Sequence, residues 1–308
     1  MAAGSKPNEI HITRVYDAPL SAVWQAWSDP AELAQWWGPR GFTITTHSRD
    51  LRSGGHWHYT MHGPEGTDYE NTTRYLEVVP GQRMVYDHGG HGDRPPLFRV
   101  TVMFTERAGR TRLDLTMALA TAEAAAEARQ FIRKAGGDAT WDRLGEHVAK
   151  RSEGRELFLI SRSFEADIET VYAMWTEPSH LARWLPPVGA SMQFRQAEPR
   201  VGGTSLYAMS LPDGSLVHGI LRYVALQPPH RLVYTQQFCD AAGQIERPHF
   251  FPHWPPTMLT TVELEQEAPG RTRVTVRWEP QADAGTDDVA EFARQRGSMT
   301  GGFDSFFN

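Results

Sequence analysis

The chain of 308 residues contains a single cysteine, Cys239. That excludes an intrachain disulfide and any cysteine-rich zinc or iron–sulfur site, and makes a cytoplasmic location the expectation. Lysine is nearly missing too. It occurs only at Lys6, Lys134 and Lys150, and arginine carries the remaining positive charge. The formal net charge is -6 and no stripe dense in Lys and Arg is present. The chain therefore does not read as a nucleic-acid binder, which has to neutralise phosphates. No apolar run approaches the roughly 18 to 20 residues needed to cross a bilayer. Residues 1–9 are short and polar, so neither a membrane span nor a secretory leader is expected. Gly-x-Ser-x-Gly, phosphate-loop and dinucleotide fingerprints are also missing.

Aromatic residues, by contrast, are plentiful: 11% of the chain, with ten tryptophans. Many of them recur at one fixed offset. Val23, Trp24, Trp27, Pro30, Leu33 and Trp36 come back 148 residues later as Val171, Tyr172, Trp175, Pro178, Leu181 and Trp184. The same offset relates Gly54-Gly55 to Gly202-Gly203, Tyr59 to Tyr207, Met61 to Met209, Tyr75 to Tyr223, and Arg83–Tyr86 to Arg231–Tyr234. A repeat this long means duplicated domains. The length suits two of about 150 residues. We place them at 1–150 and 151–308, joined by the short charged stretch Lys150–Glu156.

Each half reads as one strand, two short helices, about six more antiparallel strands and a long C-terminal helix. Ile10–Tyr16 alternates as a strand. Trp24 and Trp27 then form one helical stripe, and Asp29-Pro30 caps and starts a second short helix carrying Leu33 and Trp36-Trp37. Hairpin signals follow at Gly63–Gly66 and Ala108-Gly109. The closing helix runs over Thr121–Ala149, with Gly136-Gly137 as an expected kink, and in the second half over Thr286–Phe306. An antiparallel sheet with one apolar face needs a cover, and the closing helix is long enough to supply it. The fold class is α+β, with six or seven strands per sheet. The second half is longer before its last hairpin and gains a Pro- and aromatic-rich segment near 248–260.

Period-two alternation gathers the candidate site residues. Trp57, Tyr59 and Met61 share a face with Tyr69, Asn71 and Tyr75, as do Tyr207 and Met209 with Tyr223. Trp36, Trp37 and Trp141 join the first set; Trp184 and Phe303 join the second. Such a face suits a pocket for an oily ligand or, equally, a packed core. His56 and His58 lie on the opposite face, and His62, His88 and His91 lie further along, without metal-ligand spacing. No metal or cofactor is called for. Glu70, Asp87 and Asp114 form no carboxylate pair at a spacing that demands acid–base work. Arg14 and Arg162 align near the first strands, as do Arg83 and Arg231 near a turn; ion pairing suits the latter pair best. Phe250, Phe251, Trp254 and Met258 would serve either as a lid over the second pocket or as a contact face, for the first domain, a second copy of the chain or another protein.

These residues resemble the START-like (SRPBCC) superfamily, in the branch called the activator-of-heat-shock-chaperone-ATPase-like family. The resemblance rests on Ala18-Pro19, Val23-Trp24, Trp27, Asp29-Pro30, Leu33, Trp36–Pro39, Gly54-Gly55, Pro64–Gly66, Tyr75, Pro80, Arg83–Tyr86, Thr140-Trp141 and Leu144. Thr140 stands where the family pattern has Gly. The second copy departs at Leu185-Pro186 and at Phe303. The resemblance implies helix-grip domains, a sheet wrapped round a long helix with a cavity between. It also implies a soluble binding protein for a small apolar or amphipathic molecule. An enzyme using the same cavity and a co-chaperone-like interaction module are the alternatives. The full chaperone activator carries a separate N-terminal chaperone-binding domain, and nothing like it precedes residue 10, so that activity is not carried over.

Overall fold

The computed structural model describes residues 6–89, 95–134, 139–152 and 157–306, with the side chains of 131, 133, 134, 150–152, 297, 298 and 300–306 left aside. The chain divides into two compact units, Met1–Gly154 and Arg155–Asn308.

The first unit runs β1 (Glu9–Tyr16), α1 (Leu20–Ser28), α2 (Pro30–Trp36), β2 (Thr43–Arg49), β3 (His56–His62), β4 (Asp68–Val79), β5 (Arg83–His88), β6 (Phe98–Arg107), β7 (Arg110–Ala118), α3 (Ala122–Lys134) and α4 (Ala139–Ser152). The second repeats it as β8 (Phe158–Phe164), α5 (Ile168–Thr176), α6 (Pro178–Trp184), β9 (Ser191–Gln196), β10 (Thr204–Ser210), β11 (Leu216–Gln227), β12 (Arg231–Cys239), β13 (Met258–Ala268), β14 (Arg271–Pro280) and α7 (Thr286–Phe306). Each sheet has seven antiparallel strands, ordered β1-β7-β6-β5-β4-β3-β2 and β8-β14-β13-β12-β11-β10-β9. The Gly136-Gly137 kink lies outside the described residues.

Local chemistry sets the two short helices. Pro30 takes the first position of α2, and the Asp29 carboxylate accepts the N–H groups of Ala31 and Glu32 at 2.8 and 3.2 Å. Arg49 reaches over from β2 to donate to the Trp27 and Ser28 carbonyls at the end of α1, satisfying acceptors the helix leaves open. Trp36 closes the pair of helices by donating its indole N–H to the Ala26 carbonyl at 2.9 Å. The second unit repeats this bond from Trp184 to Met174 at 2.8 Å. The chain crossing from β1 is tied in both units by a threonine, Thr111 to the Ala18 carbonyl and Thr272 to that of Ala166, each at 2.8 Å.

Register places the expected residues on one face. Trp57, Tyr59 and Met61 stand opposite Thr73, Asn71 and Tyr69. Ser205, Tyr207 and Met209 stand opposite Leu221, Gly219 and Val217. In the first unit this inner face is closed by α1, α2 and α4. Leu144 and Val148 of α4 are fully buried, at 0% and 2% exposure. Arg143 pins α4 to the α2–β2 connection through the carbonyls of Gln35, Gly38, Pro39 and Phe42. The inward Arg14 finds its counter-charge on α4 as well, in Asp142 at 3.5 Å.

The segment between β12 and β13 does not stand out as an apolar patch. Trp254 packs 6.1 Å from Phe292 of α7, with Phe251 5.7 Å beyond it and Phe250 outermost, 41% exposed. Arg247 donates twice to Asp288 of α7, at 2.7 and 2.9 Å. The segment is clasped to its own helix. Ile245 and Phe250 stay exposed in this segment, at 47% and 41%, while Phe251 and Trp254 are half-buried.

Truncation of Leu144 to Ala should cost about 2–5 kcal/mol, since a fully buried leucine is removed from a packed core. Chemical denaturation of the full chain, followed by tryptophan fluorescence, measures this loss.

Candidate functional site

The inner face of the first unit has two ends of different character. At one end the indoles pack into a plug. Trp27 stacks on Trp141 at 5.8 Å and 14°, and lies 5.2 Å from Trp36. Trp37 meets Trp57 edge-on at 5.1 Å, and Trp57 stacks on Tyr59 at 3.8 Å and 19°. The polar tips are mostly paired within the plug. Trp37 donates to the Tyr59 hydroxyl at 3.1 Å, Trp57 donates to Thr46 at 3.1 Å, and the Arg49 guanidinium lies 5.4 Å over the Trp57 ring. Trp36, Trp37, Trp57, Tyr59, Tyr75 and Trp141 are all buried here. A void of about 10 Å³ lies beside them, lined by Trp37, Trp57 and Tyr75 of this set together with Trp27, Thr73 and Tyr86. That is room for roughly one water and not for an organic ligand. All six are buried in this structure, and the indoles are large enough to fill much of the space they enclose.

At the other end the inner face is only half covered. Met61, Asn71, His88, Phe98 and Met117 are all half-buried. His88 follows Met84 and Tyr86 at two-residue spacing on β5 and stands opposite Thr73 and Phe98 in the register. Its ring stacks on Phe98 at 4.8 Å and 22°. Among the described residues its imidazole makes no hydrogen bond. Desolvation pushes it down to about 4, so it is neutral at physiological pH. The Asn71 amide donates to the Tyr69 carbonyl at 2.9 Å. Tyr69 itself is 50% exposed, at the hairpin end beyond the core, with its ring 6.2 Å from Phe42; it is not enclosed with the others. Leu97, next to Phe98, is 66% exposed.

The second unit diverges at this end. Gly219 takes the place of Asn71, and Tyr207 lies flat across it: a Cβ there would sit 2.3 Å from the ring. The Tyr207 hydroxyl accepts from Gln236, the residue in the place of His88, at 3.0 Å. Burial pushes the Tyr207 phenol up to about 12. Tyr223 is buried with its hydroxyl 3.3 Å from that of Ser205. Trp184 and Met209 are half-buried and pack against the second core. The Phe303 side chain lies outside the described residues.

Desolvation likewise raises the phenols of Tyr59, Tyr75, Tyr86, Tyr223 and Tyr234, so all remain neutral hydrogen-bonding groups. The acidic candidates lie elsewhere. Asp87 faces the other side of β5 and is held by Arg99 at 2.7 and 3.1 Å. Asp114 is tied to Arg112 and Thr13, and Glu70 is exposed. The remaining histidines of the hairpin form an outer-face ladder: His56 to Ser48, His47 to Thr60, and His62 to Thr45 and Asp68. Arg83 and Arg231 make surface ion pairs with Glu77 and Glu263 at 3.5 and 3.9 Å. Alternation along β5 and β6 alone carries His88 and Phe98 to the same face as Met84 and Tyr86.

A seven-stranded sheet gripping its closing helices, with two small helices after the first strand, is a START-like helix-grip unit, and this chain holds two in tandem. The family described as "Activator of Hsp90 ATPase homolog 1-like protein" matches residues 17–149 and again 165–308, and the chain belongs to it. Among solved structures, a Nitrosomonas europaea protein is 21% identical over 47% of this chain and 97% of its own, with a TM-score of 0.44. A Mycobacterium smegmatis protein is 28% identical over 45% and 89%, with a TM-score of 0.41. The di-domain ARO/CYC BexL, from the BE-7585A biosynthetic pathway, is 18% identical over 97% and 96%, with a TM-score of 0.40. No match was found among curated proteins. Among the described residues no helix is long and apolar enough to cross a membrane.

His88 also sets a pH dependence. Its value falls from the ordinary 6.5 to about 4 on folding. Between those limits the unfolded chain binds a proton that the folded chain refuses. The stability this group contributes is therefore complete above about pH 6.5 and is lost as pH falls toward 4. His88→Gln, which installs the side chain found at the equivalent place in the second unit, should make stability fall less steeply across that window. Denaturant midpoints measured at intervals from pH 7 to pH 4 compare the two proteins directly.

Proposed function

We propose that the first unit binds a small, uncharged, apolar or amphipathic molecule on the half-covered end of its inner face. Met61, Phe98 and Met117 form the floor, with Asn71 and His88 as polar handles. The observation that carries this reading is the continuation of the inner face beyond the plug. There, five side chains remain half-buried, one of them a neutral imidazole without a hydrogen-bond partner among the described residues. The ring nitrogens of His88 are not spent on hydrogen bonds to other described residues, and a ligand hydroxyl or carbonyl would pair with one of them.

Charge supports an uncharged ligand. The guanidinium nearest the plug, that of Arg49, is committed to the Trp27 and Ser28 carbonyls, and the inward Arg14 lies against Asp142. Affinity would come from apolar burial at about 25 cal/mol per Å², less the cost of immobilising the ligand. The second unit would hold a differently shaped site, because Tyr207 covers Gly219 and takes up Gln236. Two units of one fold would then present one floor with a free imidazole and another with a bonded phenol.

Titration of the full chain with N-phenyl-1-naphthylamine, a neutral apolar fluorophore, tests the proposal. Saturable enhancement is expected. Phe98→Ala should weaken it roughly tenfold, corresponding to about 1.5 kcal/mol of lost apolar contact. Enhancement that does not saturate, or equal affinity in a Phe98→Ala variant of unchanged circular dichroism, would refute this location.

A further inference from the structure

The connection from β12 to β13 contains a piece, Arg247–Trp254, that is held differently from the chain on either side. Before it, Ile245 bridges Cys239 and the Glu246 N–H donates to the Phe238 carbonyl at 3.1 Å. After it, Pro255 is buried and Thr257 is bonded to Gln237, Gln281 and Asp283. Between these anchors the backbone bonds only to itself among the described residues, from Phe251 to Pro248 and from Trp254 to Phe251, each at 3.0 Å. Side chains join the piece to the body. Arg247 donates to both carboxylate oxygens of Asp288, at 2.7 and 2.9 Å, and Trp254 packs beside Phe292 and against the second core.

The piece spans from the sheet to α7. At its sheet end His249 lies near Asp213, at the tip of the β10–β11 hairpin. The Asp213 carboxyl is held below the ordinary carboxylate range first by the Ser215 hydroxyl and N–H, and His249 adds to that. From His249 the rings of Phe250, Phe251 and Trp254 follow in an unbroken file, at 5.2, 5.2 and 5.7 Å, and end 6.1 Å from Phe292 on α7. The hairpin-tip end of the inner face is the end that the first unit leaves half covered. Met258 stands opposite Gln236 as Phe98 stands opposite His88. Phe98 is half-buried, whereas Met258, which follows the piece, is 5% exposed.

Such attachments let the piece lift without disturbing the sheet. Pro248 and Pro252 restrict its backbone, so it moves as one body. The Arg247 side chain is 40% exposed although that of Asp288 is 6% exposed, and an ion pair open to water on one side holds weakly. Segments with few contacts and no backbone ladder to the body open at a small fraction of the global unfolding free energy. We infer that Arg247–Trp254 is a strap gating the second unit's inner face, fastened by the Arg247–Asp288 pair and the Trp254 ring, and that a small neutral apolar molecule reaches that face only when the strap lifts. The inference rests on the reading of the inner face as a ligand site, extended to the second unit. A ligand for that unit has to select the lifted state, so its apparent affinity is reduced by the fraction of chains that are closed.

Asp288 also accepts from the Gly285 N–H at 2.9 Å, just ahead of α7, so Arg247 is the partner to change. Two measurements on the full chain compare wild type with Arg247→Ala. The first is the rate of chymotrypsin cleavage after Phe250, which follows the population of the lifted strap. The second is titration with N-phenyl-1-naphthylamine in a Phe98→Ala background, where binding to the first unit is weakened. Arg247→Ala should raise the cleavage rate and tighten the remaining saturable binding by the same factor, about two- to fivefold for one partly exposed ion pair. Both changes are required. Faster cleavage with unchanged binding shows a strap that gates nothing, and unchanged cleavage shows that the pair does not fasten it; either overturns the inference. So does an Arg247→Ala chain whose second unit no longer folds, because the pair would then hold the core and not a gate. If Phe98→Ala weakens binding and Arg247→Ala alters nothing, the strap alone falls. If Phe98→Ala has no effect while Arg247→Ala tightens binding and speeds cleavage, the first-unit site alone falls. A chain that binds no fluorophore in any form overturns both.

Discussion

The first unit depends on the stack of Trp27 against Trp141. A curved antiparallel sheet presents an apolar concave face that cannot be left in water. The cover comes from both ends of the domain sequence: α1 and α2 near its start, α4 at its close. Trp27 belongs to α1 and Trp141 to α4, so their contact is where the two covers meet. The rest of the plug forms around it, with Trp36 and Trp37 on one side and Trp57 and Tyr59 on the sheet. Each large ring adds apolar area, but each indole also brings a donor that burial would orphan. The bonds from Trp36 to Ala26, Trp37 to Tyr59 and Trp57 to Thr46 are what make so many tryptophans tolerable in one core.

Indoles fill much of one end of the concave face. The other end, where β3, β4, β5 and β6 run past the plug, keeps Met61, Asn71, His88 and Phe98 partly uncovered. The duplication shows how little is needed to change this end. Asparagine at 71 leaves Tyr59 to stack on Trp57 and accept from Trp37. Glycine at 219 lets Tyr207 fold across the strand and accept from Gln236. The tyrosine at this position turns differently in the two units, where Asn71, Trp57 and Trp37 of the first are Gly219, Ser205 and Leu185 in the second.

Much of this was legible in the order of residues. The constant offset from Val23–Trp36 to Val171–Trp184 revealed two similar units, and the alternation of Trp57, Tyr59 and Met61 identified the inner face before any coordinates. Alternation assigns a side chain to a face, but it does not say how deep along the strand the cover extends. Tyr69 and Tyr75 share a face, yet one is 50% exposed and the other 3%. The difference lies in where α4 and the two small helices stop, which is a matter of distance along the strands. The segment from Phe250 to Met258 was ambiguous for a related reason. Four apolar side chains read alike whether they face a partner or their own helix, and only the tertiary structure shows Trp254 beside Phe292 and Arg247 on Asp288 of α7.

The sequence by itself determined the tandem α+β architecture, the sheet face on which each aromatic residue lies and the family to which the chain belongs, because these follow from short-range periodicity and a repeated pattern. Only the tertiary structure decided that six of the expected lining residues are buried in one core and that His88 and Phe98 are left half uncovered. Those outcomes depend on how ring volumes from five different elements add up in one enclosed space, and no local pattern encodes that sum.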